Sequence, residues 1–553
     1  MSEDPRDNQP VSTGDHERDI RGMVEETAKD LESEVRAKDK KDPADDKSYP
    51  EFTFEDLKRA YYLNEYGDAD IAVTLFKNRF VRDNSTGDFF RFIDHRWHRC
   101  LNREQEAEFR EVAEVYSREA VKCTVRAKEA EKEKDKAEEK HQNRWQGNFN
   151  ARAKALRGNS RMRNVLNLAT AGEGSLGTSG EGWNPDYRLL PVANGVIDLE
   201  TGKLRKGHYS DWFSHGSPIE YKGYHYNGEF VPDFFGKLLC GNETLSDYME
   251  YLFGFGCTGI QTKDFFVAYG PLGDNGKSVL FDWVSRVLGG FAAAIPVEMI
   301  YEDRFGRDPD KPSPQILRLR GLRLAIMSEP ESNKRLSPAK VKYLTSGTDK
   351  IGGRNLNEKE LVSFWPTHTL VMHGNEIPRV TGHQSPFYNR LKLLPFRARF
   401  VRNNEEVDER NHVYKLIPRA EIDSLLKEHD CELLSFLVRC ARKALELGDM
   451  PPAPDIVLKE TKAFRDEEDL VGRYLRQCTD KEPHSEEQAK DIYRSFCYFC
   501  REELGLSIKQ TPSQKSIAAD LRAQPHIERI EGRTVVYAGI EIKKEWIPPD
   551  DWK

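Results

Sequence analysis

Long apolar runs are missing from this chain. No stretch approaches the roughly 20 apolar residues that a membrane-spanning helix needs, so no membrane role is expected. An excess of positive charge is missing too: 85 Lys and Arg stand against 93 Asp and Glu, a formal net charge of −8. That balance carries no global nucleic-acid signal, and any contact with DNA has to come from local basic patches. Cysteines are sparse, nine scattered over 553 residues. An odd, scattered set reads as reduced thiols, not a disulfide framework. Cys497 and Cys500 are the only close pair, and no second pair lies nearby to complete four zinc ligands, so packing is the simpler account. The charged start of the chain has no signal-peptide pattern, and a cytoplasmic setting is the expectation.

What is present is length enough for about three or four domains, with 32% charged and 38% hydrophobic residues. Residues 1–50 are dense in charge and nearly free of aromatics, so they cannot offset their ordering entropy and are expected to be disordered. Phe54 to Tyr66 predicts a short amphipathic helix, and Phe80 to Trp97 a small β meander around Ser85-Thr86-Gly87. Arg103 to Lys140, rich in Glu, Lys, Arg and Ala, reads on composition as one solvated helix. Ala151 to Ala169 predicts a further helix with Arg152, Lys154, Arg157, Arg161 and Arg163. A Gly/Ser linker follows, Gly172 to Gly182. Asn194-Gly195 and Thr201-Gly202 are turn signals around a short strand. Phe234 to Phe255 predicts one helix.

The centre of the chain is Gly270-Pro271-Leu272-Gly273-Asp274-Asn275-Gly276-Lys277-Ser278. Asp264 to Tyr269 before it reads as a buried strand, and Val279 to Leu288 after it has helical spacing. Strand, glycine-rich loop and helix opening on Lys-Ser is the context of a phosphate-binding loop. Glycines let backbone N–H groups curl around phosphates, and the helix N-terminus adds partial positive charge. Lys277 can reach β- and γ-phosphates, and the Ser278 hydroxyl can sit on Mg²⁺. The candidate nucleotide contacts are Gly273, Asp274, Asn275, Gly276, Lys277, Ser278 and Val279, with ATP and Mg²⁺ as the expected ligands. Gly270 lies one residue early for the strict spacing, so the loop carries an extra residue.

Leu322 to Met327 predicts a second buried strand, ending in Ser328-Glu329-Pro330-Glu331. A carboxylate there can hold Mg²⁺ or orient the attacking water. Glu329 is the first candidate, for metal and catalysis, and Glu331 the second. The segment with Lys342, Lys350 and Arg354 is basic and broken by glycines. It reads either as a solvated loop or as a hairpin gripping phosphates of single-stranded DNA. Thr369 to His373 predicts a third strand, ending in Gly374-Asn375, where Asn375 can bond the attacking water. Arg390 stands where an arginine could reach a neighbouring subunit's nucleotide.

Together these residues resemble the superfamily 3 helicase core of phage and plasmid primase-helicases, a family that includes the poxvirus primase-helicase. The resemblance is carried by Asn275-Gly276-Lys277-Ser278, by Ser328-Glu329-Pro330-Glu331, and by Lys342-x-Leu344-Thr345-Ser346-Gly347 onward to Arg354. Asn375-x2-Pro378 and Arg390-Leu391 with Pro395-Phe396 complete it. Asn194 to Gly202 is similar to the signature of the domain preceding such helicases. Where the family has an Arg-Arg pair, this chain has Asn389-Arg390.

The resemblance implies an α/β chain with an AAA+ P-loop ATPase core, an α+β N-terminal region and a C-terminal winged helix. The expected boundaries are a tail at 1–50, a helicase-associated region at 51–250, the AAA+ domain at 251–454 and the winged helix at 455–553. The winged helix would consist of Glu487 to Leu504, Ser513 to Ala523 and a hairpin turning at Glu531-Gly532; it docks either duplex DNA or protein. The implied activity is an ATP-dependent replicative helicase of a mobile element, a hexameric ring on single-stranded and forked DNA. A primase or another replication protein is a possible partner. Two alternatives stand beside it: an ATP-assembled origin-binding or defence-related ring without unwinding, and a primase-helicase with cryptic priming.

Overall fold

The computed structural model describes residues 50–270, 273–302, 313–331, 334–354, 361–380, 385–507, 511–549 and 552. The expected tail at 1–50 lies outside the described residues but for its last one, as do Pro271 and Leu272 of the glycine-rich loop. The chain divides into two compact units, one up to Phe92 plus His98–Gly180, the other Ile93–Trp97 plus Glu181–Lys553. Among the described residues no helix is long and apolar enough to cross a membrane.

In the first unit, Thr53 and Asp56 close a reciprocal capping box at the start of helix Phe54–Tyr62. Helix Glu65–Phe76 follows, and then strands Phe80–Asp83 and Phe89–Ile93, antiparallel around the expected turn. The single solvated helix expected over 103–140 is instead two long helices, Arg110–Glu133 and Lys136–Leu156. The reversal falls at Lys134, which holds a left-handed φ of 60°. Nor is the first of them merely solvated: Val112, Ala113, Tyr116, Ala120, Cys123 and Ala127 make a buried face at helical spacing. Small residues let the two helices pack closely, and their low hydrophobicity hid that face among charges. At the centre, fully buried Asp68 accepts from Tyr116 Oη (2.8 Å), Arg152 Nη1 (3.0 Å) and Arg161 Nη2 (2.6 Å). Two guanidinium groups and a phenol thus satisfy one buried carboxylate.

The second unit opens with a three-stranded antiparallel sheet, Leu189–Val192, Gly195–Asp198 and Lys203–Arg205. The Asn194 side chain pairs with both backbone groups of Tyr221 at 3.0 Å, and the Asp198 carboxylate caps the N–H groups of Glu200 and Thr201. The Asn194-to-Gly202 motif is therefore a structural turn signature. The helix expected over 234–255 is two, Phe230–Leu238 and α1 (Glu243–Thr258). They part at Cys240 and Gly241, which have φ of 55° and 66°.

The core of this unit is a five-stranded sheet, all parallel: β1 (Phe265–Tyr269), β2 (Ala292–Ala294), β3 (Leu324–Ser328), β4 (Thr369–Gly374) and β5 (Leu391–Pro395). Its spatial order is β5-β1-β4-β3-β2. The strands read as unbroken apolar runs because both faces are covered. One face carries α1, α2 (Lys277–Leu288) and α3 (Asp430–Leu447); Trp283 Nε1 and Arg286 of α2 both bond Asp430 of α3. The outer edge of β5 is covered by α4 (Asp455–Glu468), whose Thr461 hydroxyl accepts from Leu393 N at 3.1 Å. Buried Arg323 donates to the carbonyls of Cys257 (2.6 Å), Leu189 (2.8 Å) and Asp186 (3.2 Å), joining the small sheet, α1 and the strand it precedes.

The chain ends in helices Leu470–Cys478, Ala489–Glu502 and Gln514–Arg522 around their own core, with Phe496, Phe499 and Tyr474 at its centre. Strands Glu486–Gln488, Val535–Ala538 and Glu528–Glu531 form an antiparallel sheet against them.

Candidate nucleotide site

The site is set by strand register. In the parallel sheet Tyr269 pairs with Gly374 on one side and Pro395 on the other, and Ser328 pairs with His373. The residues that leave these strands, Gly270, Glu329, Asn375 and Phe396, therefore emerge side by side at one edge. That edge is the carboxyl end of the sheet beside β1, where connections run off in opposite directions and open α/β sheets bind ligands.

Lys277 opens α2 and is 3% exposed. Its Nζ donates to Asn275 Oδ1 (2.5 Å), Asn375 Oδ1 (3.3 Å) and the Gly270 carbonyl (3.4 Å). Asn275 is anchored in turn, its Nδ2 donating to the same Gly270 carbonyl at 3.1 Å. Burial pushes the Lys277 ammonium down to about 8, since no carboxylate compensates its desolvation. Gly276 caps α2 at φ 76°, a conformation that favours glycine, and a Cβ there would also crowd Leu238 Cδ2 at 2.3 Å. Ser278 and Asp274 are exposed at the mouth of the loop. The last segment of the wall is tied on by Phe396 N to the Tyr269 carbonyl and Phe400 N to the Asp274 carbonyl, each 2.8 Å.

Glu329 leaves β3 with φ 50°, a left-handed conformation that costs a non-glycine residue about 1–3 kcal/mol. Its N–H donates to the His373 carbonyl at 3.1 Å and its side chain is exposed. Gly374 permits this geometry, because a Cβ there would lie 2.6 Å from Pro330 Cδ. Glu331 is exposed and its N–H is held by the Tyr301 hydroxyl at 2.7 Å. His373 is buried and stacked on Phe281, ring centroids 5.4 Å apart. Burial lowers its pKa, with Asp282 and Glu329 opposing the effect and Lys277 adding to it.

Lys277, Asn275 and Asn375 are thus in direct contact, and Glu329 is one register step away. Arg390 is elsewhere. It precedes β5 and so lies at the opposite, amino end of the sheet, donating to the carbonyls of Thr345 (2.8 Å) and Lys263 (3.2 Å). The basic segment is split between two elements. Lys342 is exposed on helix Pro338–Leu344, while Lys350 and Arg354 flank strand Ile351–Gly353, which pairs antiparallel with Val362–Phe364. Lys350 Nζ lies 5.8 Å from the centre of the Trp365 ring, and that ring is 56% exposed.

Arg397 and Glu460 also meet at this edge. Glu460 of α4 accepts from both Arg397, just past β5, and Tyr269, the last residue of β1. The alternation in Phe396-Arg397-Ala398-Arg399-Phe400 was the available signal for a basic strand edge beside the loop.

Residues 69–240 match the family model described as D5 N terminal like. The chain is 24% identical over 300 residues to "Putative helicase L207/L206" of Acanthamoeba polyphaga mimivirus, covering 52% of this chain and 30% of that one. It is 28% identical over 230 residues to "Putative helicase 022R" of Frog virus 3, covering 40% and 23%. This chain resembles the primase-helicase family. A third relative, "Putative helicase V13" of Sputnik virophage, is 30% identical over 156 residues, covering 28% of this chain and 20% of that one. The match spans less than a third of each of these relatives. Among solved structures, the apo A form of the NrS-1 C terminal region has a TM-score of 0.34 at 10% identity, covering 59% of this chain and 77% of that one.

Proposed function

We propose that the chain is an ATP-hydrolysing motor that works as a ring, a hexamer on the family pattern, on single-stranded and forked DNA in the host cytoplasm. The observation that carries this reading is the register at the carboxyl edge of the sheet, which gathers Lys277, Asn375 and Glu329 around the opening of α2. The order β5-β1-β4-β3-β2 and the flanking helices support an AAA+ P-loop core, which takes in all of α1 and α4 beside the expected 251–454 and is preceded by a helicase-associated region. Three helices with a three-stranded sheet support a winged helix within 455–553.

The residues fit the chemistry. Gly273 to Val279 offer backbone N–H groups and a helix N-terminus to phosphate oxygens. Lys277 exchanges its amide and carbonyl partners for the β- and γ-phosphates. The exposed oxygens of Ser278 and Glu329 are the hard donors that suit Mg²⁺. When bound, that ion neutralises charge developing on the phosphates. Glu329 takes the proton side of the attacking water, with Glu331 as its neighbour in reserve, and Asn375 orients that water. Arg390 of one subunit supplies the cation for the nucleotide of the next, and Lys342, Lys350 and Arg354 hold the DNA strand.

ATP turnover with and without single-stranded DNA, run beside strand displacement, tests the reading. Turnover that DNA does not stimulate, with no displacement, would favour a ring that uses ATP only to assemble.

A further inference from the structure

We propose that the first unit carries a nucleic-acid face of its own, which holds single-stranded DNA along helix Lys136–Leu156 and the turn Tyr62–Tyr66. It needs neither the nucleotide site nor the hairpin.

The starting point is charge. From Lys140 to Gly172 the chain has seven Lys and Arg and no Asp or Glu, within a protein of net charge −8. The packed neighbour helix Arg110–Glu133 mixes both signs throughout, as a solvated helix does, so a one-signed stretch is not what solubility asks for. Two of the seven, Arg152 and Arg161, are engaged by Asp68, and Arg157 donates to Ser117 Oγ at 3.4 Å. Lys140, Arg144, Lys154 and Arg163 are exposed and have no ion pair among the described residues. Folding does not require their charge.

Geometry makes a surface of them. Lys140, Arg144, Gly147, Ala151 and Lys154 follow one another at spacings of four, three, four and three, so they form one stripe on the helix, about 21 Å long. The middle of the stripe is bare: Gly147 has nothing within 4 Å of a would-be Cβ, and Ala151 is exposed. A backbone can approach there between the flanking cations. Beside Arg144, Trp145 turns inward and meets the edge of Tyr62 at 5.7 Å. Tyr62 is still 66% exposed, and Tyr66 68%. Their turn is not loose, since Arg161 donates to Asn64 Oδ1 at 2.7 Å and Asn164 to Glu65 Oε1 at 3.3 Å.

Exposed aromatic rings joined through Trp145 to the helix that carries the unpaired cations suit a strand whose bases are unstacked, with phosphates on the cations and bases on the rings. Nothing in the stripe reads base edges, so the face is tolerant of sequence. An acidic protein could use the cations but would gain nothing particular from the tyrosines.

The test uses the full chain without nucleotide, binding a fluorescent oligo-dT over a salt series. Lys140→Gln, Arg144→Gln and Lys154→Gln combined should lower the slope of log affinity against log salt by about 2, at about 0.7 per contact. Tyr62→Ala should weaken binding about fivefold or more with the slope unchanged. Both effects should persist in the Lys277→Ala and Lys350→Gln backgrounds, which separates this face from the motor reading. Melting temperatures should hold, because the altered groups are exposed. An unchanged slope and affinity in the triple variant overturns the proposal. Stronger competition by duplex of equal phosphate count overturns the single-strand assignment.

Discussion

Arg390 donates to the backbone carbonyl of Thr345 at 2.8 Å and to its hydroxyl at 3.3 Å. The last residue before β5 is thereby fastened to the segment that leads into the candidate DNA hairpin. An arginine that serves the next subunit's nucleotide has to leave these acceptors, so its movement and the position of Thr345 are linked. Arg390→Ala should bind ATP almost normally and hydrolyse it about 10³-fold or more slowly. Mixed with Lys277→Ala subunits it should regain some turnover, in a manner dependent on protein concentration. A co-assembled mixture as inactive as either variant alone would mean that Arg390 acts within its own subunit or not at all.

The buried ammonium of Lys277 makes nucleotide binding pH-dependent. Its free pKa is about 8, below the ordinary 10.5, because burial disfavours the charge. Phosphates favour the charged form and raise the bound value, so binding above pH 8 takes up a proton. Affinity should fall about tenfold between pH 7 and pH 9. Without nucleotide the unfolded chain binds more protons between pH 8 and 10.5, so this group makes the fold more stable as pH rises through that window. Calorimetry in two buffers of different ionisation enthalpy reads the proton directly; no uptake at pH 9 would exclude Lys277 from the phosphates.

The first unit depends on Asp68. Asp68→Ala strands two partly buried guanidinium groups and the Tyr116 hydroxyl. A loss of about 3–5 kcal/mol is expected in urea unfolding. A loss below about 1 kcal/mol would mean the arginines find other partners or water.

The strand–loop–helix at the centre was legible because its signals are local: an apolar run, glycines at fixed offsets, then Lys-Ser and helical spacing. The hairpin near Glu531-Gly532 was legible for the same reason, and its strands run Glu528–Glu531 and Val535–Ala538. Burial on helix Arg110–Glu133 was not, because half of its buried face is alanine, which composition counts as neutral, set among many charges. The break at Cys240-Gly241 was not, since a cysteine at positive φ has no sequence signature. Least legible was the meeting of Lys277 with Asn375, 98 residues on. It depends on which strands are neighbours, and hydrophobic pattern alone does not fix strand order.

Glu329 is the most direct probe of the account, since it is exposed and its replacement by Gln disturbs no buried contact. The measurement is strand displacement on forked DNA with ATP, resolved for polarity, for the wild type and Glu329→Gln side by side. The wild type should unwind forks of one polarity only, and Glu329→Gln should bind ATP and DNA yet displace no strand. Displacement by Glu329→Gln at the wild-type rate, or none by a wild type that hydrolyses ATP, would contradict a motor built on this site.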